Sequence, residues 1–258
     1  MPPKGLCISY YTILRKAVVR IVRIWPQTLL PSVVNSLLYY LVFGAIIGSQ
    51  LSPINGYSYI AFVVPGIVML AVITNAYTEV ATTFFTSKFF SRNIDEILVS
   101  PTPPWLIVSG FVSAGVIRAA VVGTLVLGVS IAFALPTVLH PLVTLSFLCI
   151  AAILFSLLGL VNGIYAKNFD AISIVPTFVL TPLIYLGGVF YSVAALPPFF
   201  AALTYFNPLF YLINGFRYGF LGVADVSLGV AYGVLLALTA VAFGIAWYLL
   251  KTGLGLKQ

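Results

Sequence analysis

Charge is scarce in this sequence. Only 7% of its 258 residues are Asp, Glu, Lys or Arg, whereas about a quarter of the residues are charged in a typical soluble domain. No ionisable side chain other than tyrosine occurs between Arg23 and Glu79, or between Asp170 and Arg217. A soluble globular domain is therefore excluded. Apolar runs of this length predict a polytopic membrane protein, because each spanning helix needs about 20 apolar residues.

Clusters of chemically reactive residues are also missing. The two cysteines, Cys7 and Cys149, have neither metal-site nor disulfide-framework spacing, and His140 is the single histidine, in a predicted outer turn. None of the six lysines follows a glycine, so the G-K-[ST] core of a nucleotide-binding loop is absent. The sequence predicts no catalytic residue, metal or cofactor in this chain. Energy for uphill transport would have to come from elsewhere.

Six apolar runs predict six transmembrane helices in one all-α domain, residues 1–258. The runs are residues 29–48, 59–78, 106–135, 142–165, 172–189 and 228–250. With both termini in the cytoplasm, ten of the twelve basic residues lie on that side, as the positive-inside rule requires. The net charge of +7 is then explained by topology rather than by nucleic-acid binding. The start, MPPKG, is not followed by a signal-peptide core and cleavage site, so we expect it to be retained.

Residues 1–28 are predicted to form a cytoplasmic helix that lies in the membrane interface. Its basic arc is Arg15, Lys16, Arg20 and Arg23, and its apolar arc is Leu14, Val18, Ile21, Val22 and Trp25. Such an amphipathic helix places its basic side towards lipid headgroups. Arg15, Arg20, Arg23 and Trp25 are therefore the expected interfacial anchors, and membrane lipid is an expected partner.

A charged stretch, residues 86–104, separates the second and third runs. In a helix, its apolar face would be Phe90, Ile94, Ile97 and Leu98, and its charged face Lys88, Arg92, Asp95 and Glu96. Three prolines, at positions 101, 103 and 104, would end that helix. The pattern alone leaves two interpretations open: a solvated loop helix, or a docking surface for a soluble partner.

Arg118 is expected deep in the third span. A charge at that depth costs about 2.5–3.5 kcal/mol on insertion scales, so it should face protein or water. Glu79, near the inner end of the second span, is the only acidic residue in an adjoining span. We therefore expect either an Arg118–Glu79 pair or bonds from Arg118 to backbone carbonyls. Lys167 and Asp170 mark the inner boundary between the fourth and fifth spans, or contact a soluble partner there.

The segment between the fifth and sixth runs, residues 191–222, is too long for a simple turn and too apolar to be solvated. It predicts two half-helices, residues 196–205 and 209–220, broken at Asn207-Pro208. Re-entrant helices of this kind are stable only against protein or a water-filled cavity. Arg217 within it has three possible partners: Asp225, a carbonyl or a lipid phosphate. The fifth run is itself interrupted by Pro176, Pro182 and the pair Gly187-Gly188.

Several motifs together resemble the membrane-spanning subunits of type-2 ABC transporters, and among them the bacterial YadH-type inner-membrane permeases. The motifs are RIWPQTLLPSVV, VPGIVMLAVITNAY, RNIDEILVSP, VPTFVLTPLIYLGGVFYSVAALPPFF and NPLFYLINGFRYGFLG. The resemblance covers nearly the whole chain. It implies a type V (ABCG-like) exporter fold in which residues 86–104 form a coupling helix seated on a separate ATP-binding subunit. Matching positions Lys88, Arg92, Asn93, Asp95 and Glu96 would then make the coupling contacts.

Further expectations come from the same resemblance. Two copies of the chain would form a path for an amphipathic, lipid-like, drug or glycoconjugate substrate across a prokaryotic inner membrane, with ATP and Mg²⁺ bound by the partner subunit. Phe178, Tyr185, Phe190 and Tyr191 are candidate pathway residues, with ordinary packing as the alternative.

The rival function is a stand-alone secondary transporter or channel, which would favour a midplane carboxylate or a two-fold repeat. The sequence contains neither. A membrane enzyme would need clustered reactive groups, and these are also missing.

Overall fold

The computed structural model describes residues 3–54, 56–90, 94, 96, 99–193 and 196–255, and within these ranges it consists of helices joined by turns and loops, with no β-strand. The first helices are α1 (Pro3–Arg23), α2 (Trp25–Tyr39), α3 (Tyr59–Phe89), α4 (Pro104–Ser130) and α5 (Pro141–Tyr165). They are followed by α6 (Phe169–Val175), α7 (Thr181–Leu186), α8 (Pro198–Tyr205), α9 (Pro208–Leu221) and α10 (Leu228–Thr252).

Four helices in these ranges are long and apolar enough to cross a membrane: α3, α4, α5 and α10. They fall on the second, third, fourth and sixth predicted spans. Two boundaries differ from the sequence prediction. Helix α3 continues past residue 78 to Phe89, so Lys88 belongs to it rather than to the connecting loop. Helix α4 ends at Ser130, before the apolar residues that extended the predicted span to residue 135.

The first and fifth predicted spans are interrupted helices. Helix α2 is followed by a π-helical segment, Tyr40–Ile47, and by a 3-10 turn, Gly48–Gln50. Between α6 and α7 lies a second π-helical segment, Pro176–Leu180. Because proline has no N–H to donate, Pro176 removes one backbone hydrogen bond from this helix. The Thr181 hydroxyl donates a hydrogen bond to the Pro176 carbonyl at 2.9 Å. A six-span architecture therefore stays a prediction, because these two segments are not continuous long helices.

Helix α3 lies at the centre of the bundle, packed against α4, α5 and α9. Most of its apolar portion is buried inside the protein, and its first part, residues 59–73, carries almost only apolar residues and glycine. Helix α5 approaches it closely through Gly159 and Gly163. A Cβ at Gly159 would collide with the Tyr77 carbonyl, and one at Gly163 would lie 2.9 Å from the Ala81 carbonyl. Small residues at this spacing allow the backbones of two helices to touch.

Helix α1 packs along the first half of α4. The Tyr10 hydroxyl and the Ser113 hydroxyl are 2.7 Å apart, and a Cβ at Gly110 would lie 2.8 Å from a methyl carbon of Ile13. Ala17 and Ile21 are buried, whereas Val22 remains exposed. The helix is therefore fixed to the bundle by its small and apolar residues.

The break between α8 and α9 occurs at Asn207-Pro208. The Asn207 side chain accepts a hydrogen bond from the Leu209 N–H at 3.0 Å and donates one to the Leu183 carbonyl at 2.6 Å. It therefore caps α9 and ties its start to α7. Helix α9 ends at Gly222, whose φ of 69° suits glycine because it is left-handed.

Candidate functional site

Arg118 and Glu79 are in contact at the interface of α3 and α4. Nη1 of Arg118 donates to Oε2 of Glu79, and its Nη2 donates to the Thr28 carbonyl at 3.3 Å. The other carboxylate oxygen accepts from the Thr83 hydroxyl at 2.9 Å. Glu79 is only 1% exposed. Arg118 thus makes both kinds of bond considered from the sequence, one to a carboxylate and one to a carbonyl.

Arg20 of α1 approaches the same carboxylate. Its Nη2 lies 3.7 Å from Oε2 of Glu79, so Glu79 stands between two guanidinium groups from two different helices. From the sequence, Arg20 was expected to anchor α1 to lipid headgroups, and its contact with Glu79 was missed. One signal could have indicated it: Glu79 is the first carboxylate of the chain and follows five basic residues. We call Arg20, Glu79 and Arg118 the charged triad.

The remaining anchors of α1 lie outside the triad. Arg15, Arg23 and Trp25 are exposed, and Trp25 begins α2. The triad connects α1, α3 and α4, and Thr28 brings the start of α2 to the same point. A shift of α1 would therefore change the surroundings of a buried carboxylate.

Lys88, a predicted coupling residue, contacts the chain itself. Its Nζ donates to the Ile164 carbonyl at 2.9 Å and to the Gly255 carbonyl at 2.6 Å. It therefore joins the ends of α3 and α5 to the segment that follows α10. This long-range contact was not visible in the sequence.

The other predicted coupling residues are only partly described. Glu96 is helical and exposed, and Ile94, predicted on the apolar face, is buried. Phe90, predicted on the same apolar face, is exposed. Arg92, Asn93 and Asp95 lie outside the described residues, so their coupling role stays a prediction.

Three of the four candidate pathway residues gather in one aromatic cluster. The ring centroid of Phe190 lies 4.4 Å from that of Phe43, 5.9 Å from that of Tyr185 and 6.0 Å from that of Tyr39. The Tyr191 hydroxyl donates to the Tyr185 carbonyl at 2.9 Å. Tyr39 and Phe43 were not singled out from the sequence, although their spacing of four residues places them on one helix face.

Phe178, the fourth candidate, stands apart from this cluster. It lies in the second π-helical segment and is 73% exposed. Large apolar side chains beside it, Ile174 and Val179, are also exposed. In the described part of the chain, no residue covers the face of the interrupted helix that carries these side chains.

Arg217 is buried at the junction of α9 with α3. Its Nη2 donates to the Gly188 carbonyl at 2.6 Å, and its guanidinium carbon lies 3.8 Å from the centre of the Phe62 ring. A carbonyl is thus its direct partner, and Asp225 acts on it only through space.

The sequence matches proteins of known families along nearly its whole length. A family model described as ABC-2 type transporter matches residues 9–221. The inner membrane transport permease YadH of Escherichia coli (strain K12) is 49% identical over 252 residues, which cover 97% of this chain and 98% of that protein. Nodulation protein J of Rhizobium leguminosarum bv. viciae is 28% identical over 234 residues, covering 88% and 89% of the two chains. The resemblance stated from the sequence motifs is confirmed.

Proposed function

The chain belongs to the ABC-2 type transporter family, and we propose that it is the membrane-spanning subunit of an ATP-driven exporter. A separate ATP-binding subunit would hold ATP and Mg²⁺ and hydrolyse the nucleotide, so this chain would not be the enzyme. The observation that carries the proposal is the 49% identity to a transport permease over 97% of this chain. The exporter direction rests on the resemblance to exporter-type permeases.

Two copies of the chain would enclose the transport path. In this arrangement the interrupted helices, residues 25–50 and 169–186, also cross the membrane, giving six spans and two cytoplasmic termini in an inner membrane. Helices α8 and α9 would then form the re-entrant outer segment. In this arrangement the second copy would cover the exposed face around Phe178.

The aromatic cluster supports an amphipathic, lipid-like, drug or glycoconjugate cargo. Phe43, Tyr185 and Phe190 supply broad apolar surfaces, and tyrosine adds a hydroxyl that can hydrogen-bond a polar group of the cargo. We propose that this cluster lies beside the path where the two interrupted helices meet.

Residues 86–104 would couple nucleotide hydrolysis to this path. Glu96 is exposed, as a contact residue should be. Lys88 is bonded to two carbonyls of its own chain, so we propose that it holds the base of the coupling helix rather than touching the ATP-binding subunit. Glu79 of the charged triad lies on the same helix as Lys88, α3, two to three turns further into the bundle.

Co-purification tests the proposal. The tagged chain is co-expressed with an ATP-binding ABC subunit of the same organism, starting with one encoded beside it if the genome has one, and the captured ATPase is quantified for the native chain and for the double variant Asp95→Ala/Glu96→Ala. We expect capture by the native chain and strong loss in the variant. Asp225→Asn, which removes a carboxylate predicted on the opposite side of the membrane, serves as the control and should retain capture. If the native chain captures no ATPase, a stand-alone secondary transporter or channel becomes the better hypothesis.

A further inference from the structure

A cavity of about 270 Å³ lies between α1 and the inner end of α3. Three basic side chains from α1 line it, and three hydroxyl side chains from α3 face them. The basic residues are Lys16, Arg20 and Arg23, and the hydroxyl residues are Thr83, Thr86 and Ser87. The cavity shares Arg20 with the charged triad, and its Thr86 and Ser87 are the first residues of the coupling segment, residues 86–104, whereas no described residue of the aromatic cluster lines it.

Positive charge exceeds negative charge around this cavity. Three cations, Lys16, Arg20 and Arg23, line the cavity, and no carboxylate of the described residues does. Glu79, which Arg20 approaches, is already bonded to Arg118. The Nε atom of Arg20, which lines the cavity, is buried and has no hydrogen-bond partner among the described residues. Burying unpaired cationic donors is unfavourable, so an anion in the cavity would be strongly attracted.

The hydroxyl side of the cavity can complete the coordination of an oxyanion. The Thr83 hydroxyl donates to Glu79, and that of Thr86 donates to the Thr82 carbonyl, so both donors are in use. The Ser87 side chain is buried and makes no hydrogen bond to any described residue. Its hydroxyl and the basic groups of α1 are therefore the free donors, and phosphate oxygens accept from ammonium, guanidinium and hydroxyl groups.

The apolar surroundings of the cavity indicate where such an anion comes from. Ile13, Val19 and Phe111 also line it, and the side chains of Val19 and Val22 are exposed beside the basic residues. A free phosphate ion would gain nothing from these groups. A phospholipid would place its headgroup among the charges and its acyl chains along the apolar residues.

We propose that this cavity binds the phosphate of an anionic membrane phospholipid, with Lys16, Arg20 and Arg23 as its ligands and Ser87 as an additional donor. This goes beyond a general attraction of the basic arc of α1 to the membrane surface, because it assigns one defined site on the bundle side of that helix. The proposal rests on the proposed membrane orientation. Since Arg20 also faces Glu79, a bound headgroup would compete with the carboxylate for this arginine.

Native mass spectrometry of the purified full chain in neutral detergent tests the site. Phosphatidylglycerol is titrated against the native chain and against the double variant Lys16→Gln/Arg23→Gln. The control double variant, Arg15→Gln/Lys251→Gln, loses the same charge at exposed positions outside the cavity. We expect about tenfold weaker binding or more in the cavity variant, because each charge-assisted hydrogen bond contributes at least that factor. The control should bind as the native chain does.

Other outcomes would overturn the proposal. Equal loss in both double variants would mean diffuse surface attraction, and no loss in the cavity variant would mean that the site is elsewhere. Inorganic phosphate that displaces the lipid at equal concentration would assign the cavity to a free anion. A monodisperse elution profile checks that each variant is folded. Ser87→Ala, which keeps every charge, should weaken binding by about two- to tenfold.

The lipid-binding result and the proposed permease function are tested by separate measurements. Lipid binding is measured on the chain alone, whereas the permease role is tested by capture of an ATPase. Loss of lipid binding with intact ATPase capture would leave the permease proposal standing. Retained lipid binding without ATPase capture would contradict only the permease proposal.

Discussion

The guanidinium group of Arg118 donates to the carboxylate of Glu79 across the interface of α3 and α4. Glu79 is almost fully buried, so solvent screens this contact little, and Arg20 approaches it from α1. Two spanning helices and the N-terminal helix therefore meet at one carboxylate. A displacement of α1 relative to α3 and α4 would therefore change the contacts of this carboxylate.

Glu79→Gln should destabilise the protein strongly. The substitution keeps the size of the side chain but leaves Arg118 buried without an anion, and breaking a buried ion pair in this way costs about 3–5 kcal/mol. Thermal unfolding of the purified chain in detergent measures the effect. Asp170→Asn, at an exposed position, is the control and should change the unfolding temperature little. Equal shifts in the two variants would contradict a structural role for the pair.

The two arginines of the triad should differ in importance. Arg118 touches Glu79 directly and is nearly buried, whereas Arg20 lies 3.7 Å away with a side chain that is 28% exposed. Partly exposed ion pairs contribute about 0–1 kcal/mol. We therefore expect Arg118→Gln to lower the unfolding temperature clearly more than Arg20→Gln does, with both measured in the same detergent. The reverse order would show that Arg20 is the main partner of the carboxylate.

A charge swap should restore the pair only in part. In Glu79→Arg/Arg118→Glu, the guanidinium group introduced on α3 would face Arg20, and the Thr28 carbonyl would lose its donor. Both effects oppose the regained attraction. Stability between that of the single variants and that of the native chain is the expected result, and additive losses would mean that the two groups do not interact.

Local sequence patterns predicted those parts of the structure that depend on neighbouring residues. Four long apolar runs became long helices, and Asn207-Pro208 broke the outer segment into α8 and α9. Among contacts between residues far apart in the chain, the Arg118–Glu79 pair was expected as one of two alternatives, because a buried charge needs a partner and few candidates exist. Other long-range contacts were not predicted. The bonds from Lys88 to Gly255 and from Arg20 to Glu79 depend on how helices pack, and helix periodicity does not encode that packing.

The interrupted helices illustrate the same limit. Pro176 and Pro182 indicated a break in the fifth apolar run, because proline removes a backbone donor. The π-helical segment at Tyr40–Ile47 has no proline, so nothing in the local sequence distinguished it from a regular helix. Tertiary contacts decide such a segment, as Gly44 packs against Ile60 of α3.

The close approach of α5 to α3 can be tested at Gly159. A Cβ there would collide with the Tyr77 carbonyl, a backbone atom that cannot move aside, and overpacking of this kind typically costs about 1–3 kcal/mol. Gly159→Ala should therefore lower the unfolding temperature. Gly233→Ala on α10 is a matched control, since a Cβ added there would meet no atom within 4 Å. Because alanine favours helix over glycine, this control should be neutral or slightly stabilising.

Phe178 offers a direct test of the proposed pairing of two copies. Its side chain is exposed on the second interrupted helix, the face that a second copy would cover. In a background with Cys7→Ser and Cys149→Ser, which removes both native cysteines, Phe178→Cys should form a disulfide-linked dimer when membranes are oxidised. Leu236→Cys on α10 is also at an exposed position; we propose that this helix faces lipid rather than the second copy, so this variant should remain monomeric. Disulfide geometry requires the two Cα atoms to be within about 7 Å, and the experiment therefore reports a specific contact. Dimers formed by Leu236→Cys and not by Phe178→Cys would place the contact between copies on α10 and move the transport path away from the aromatic cluster.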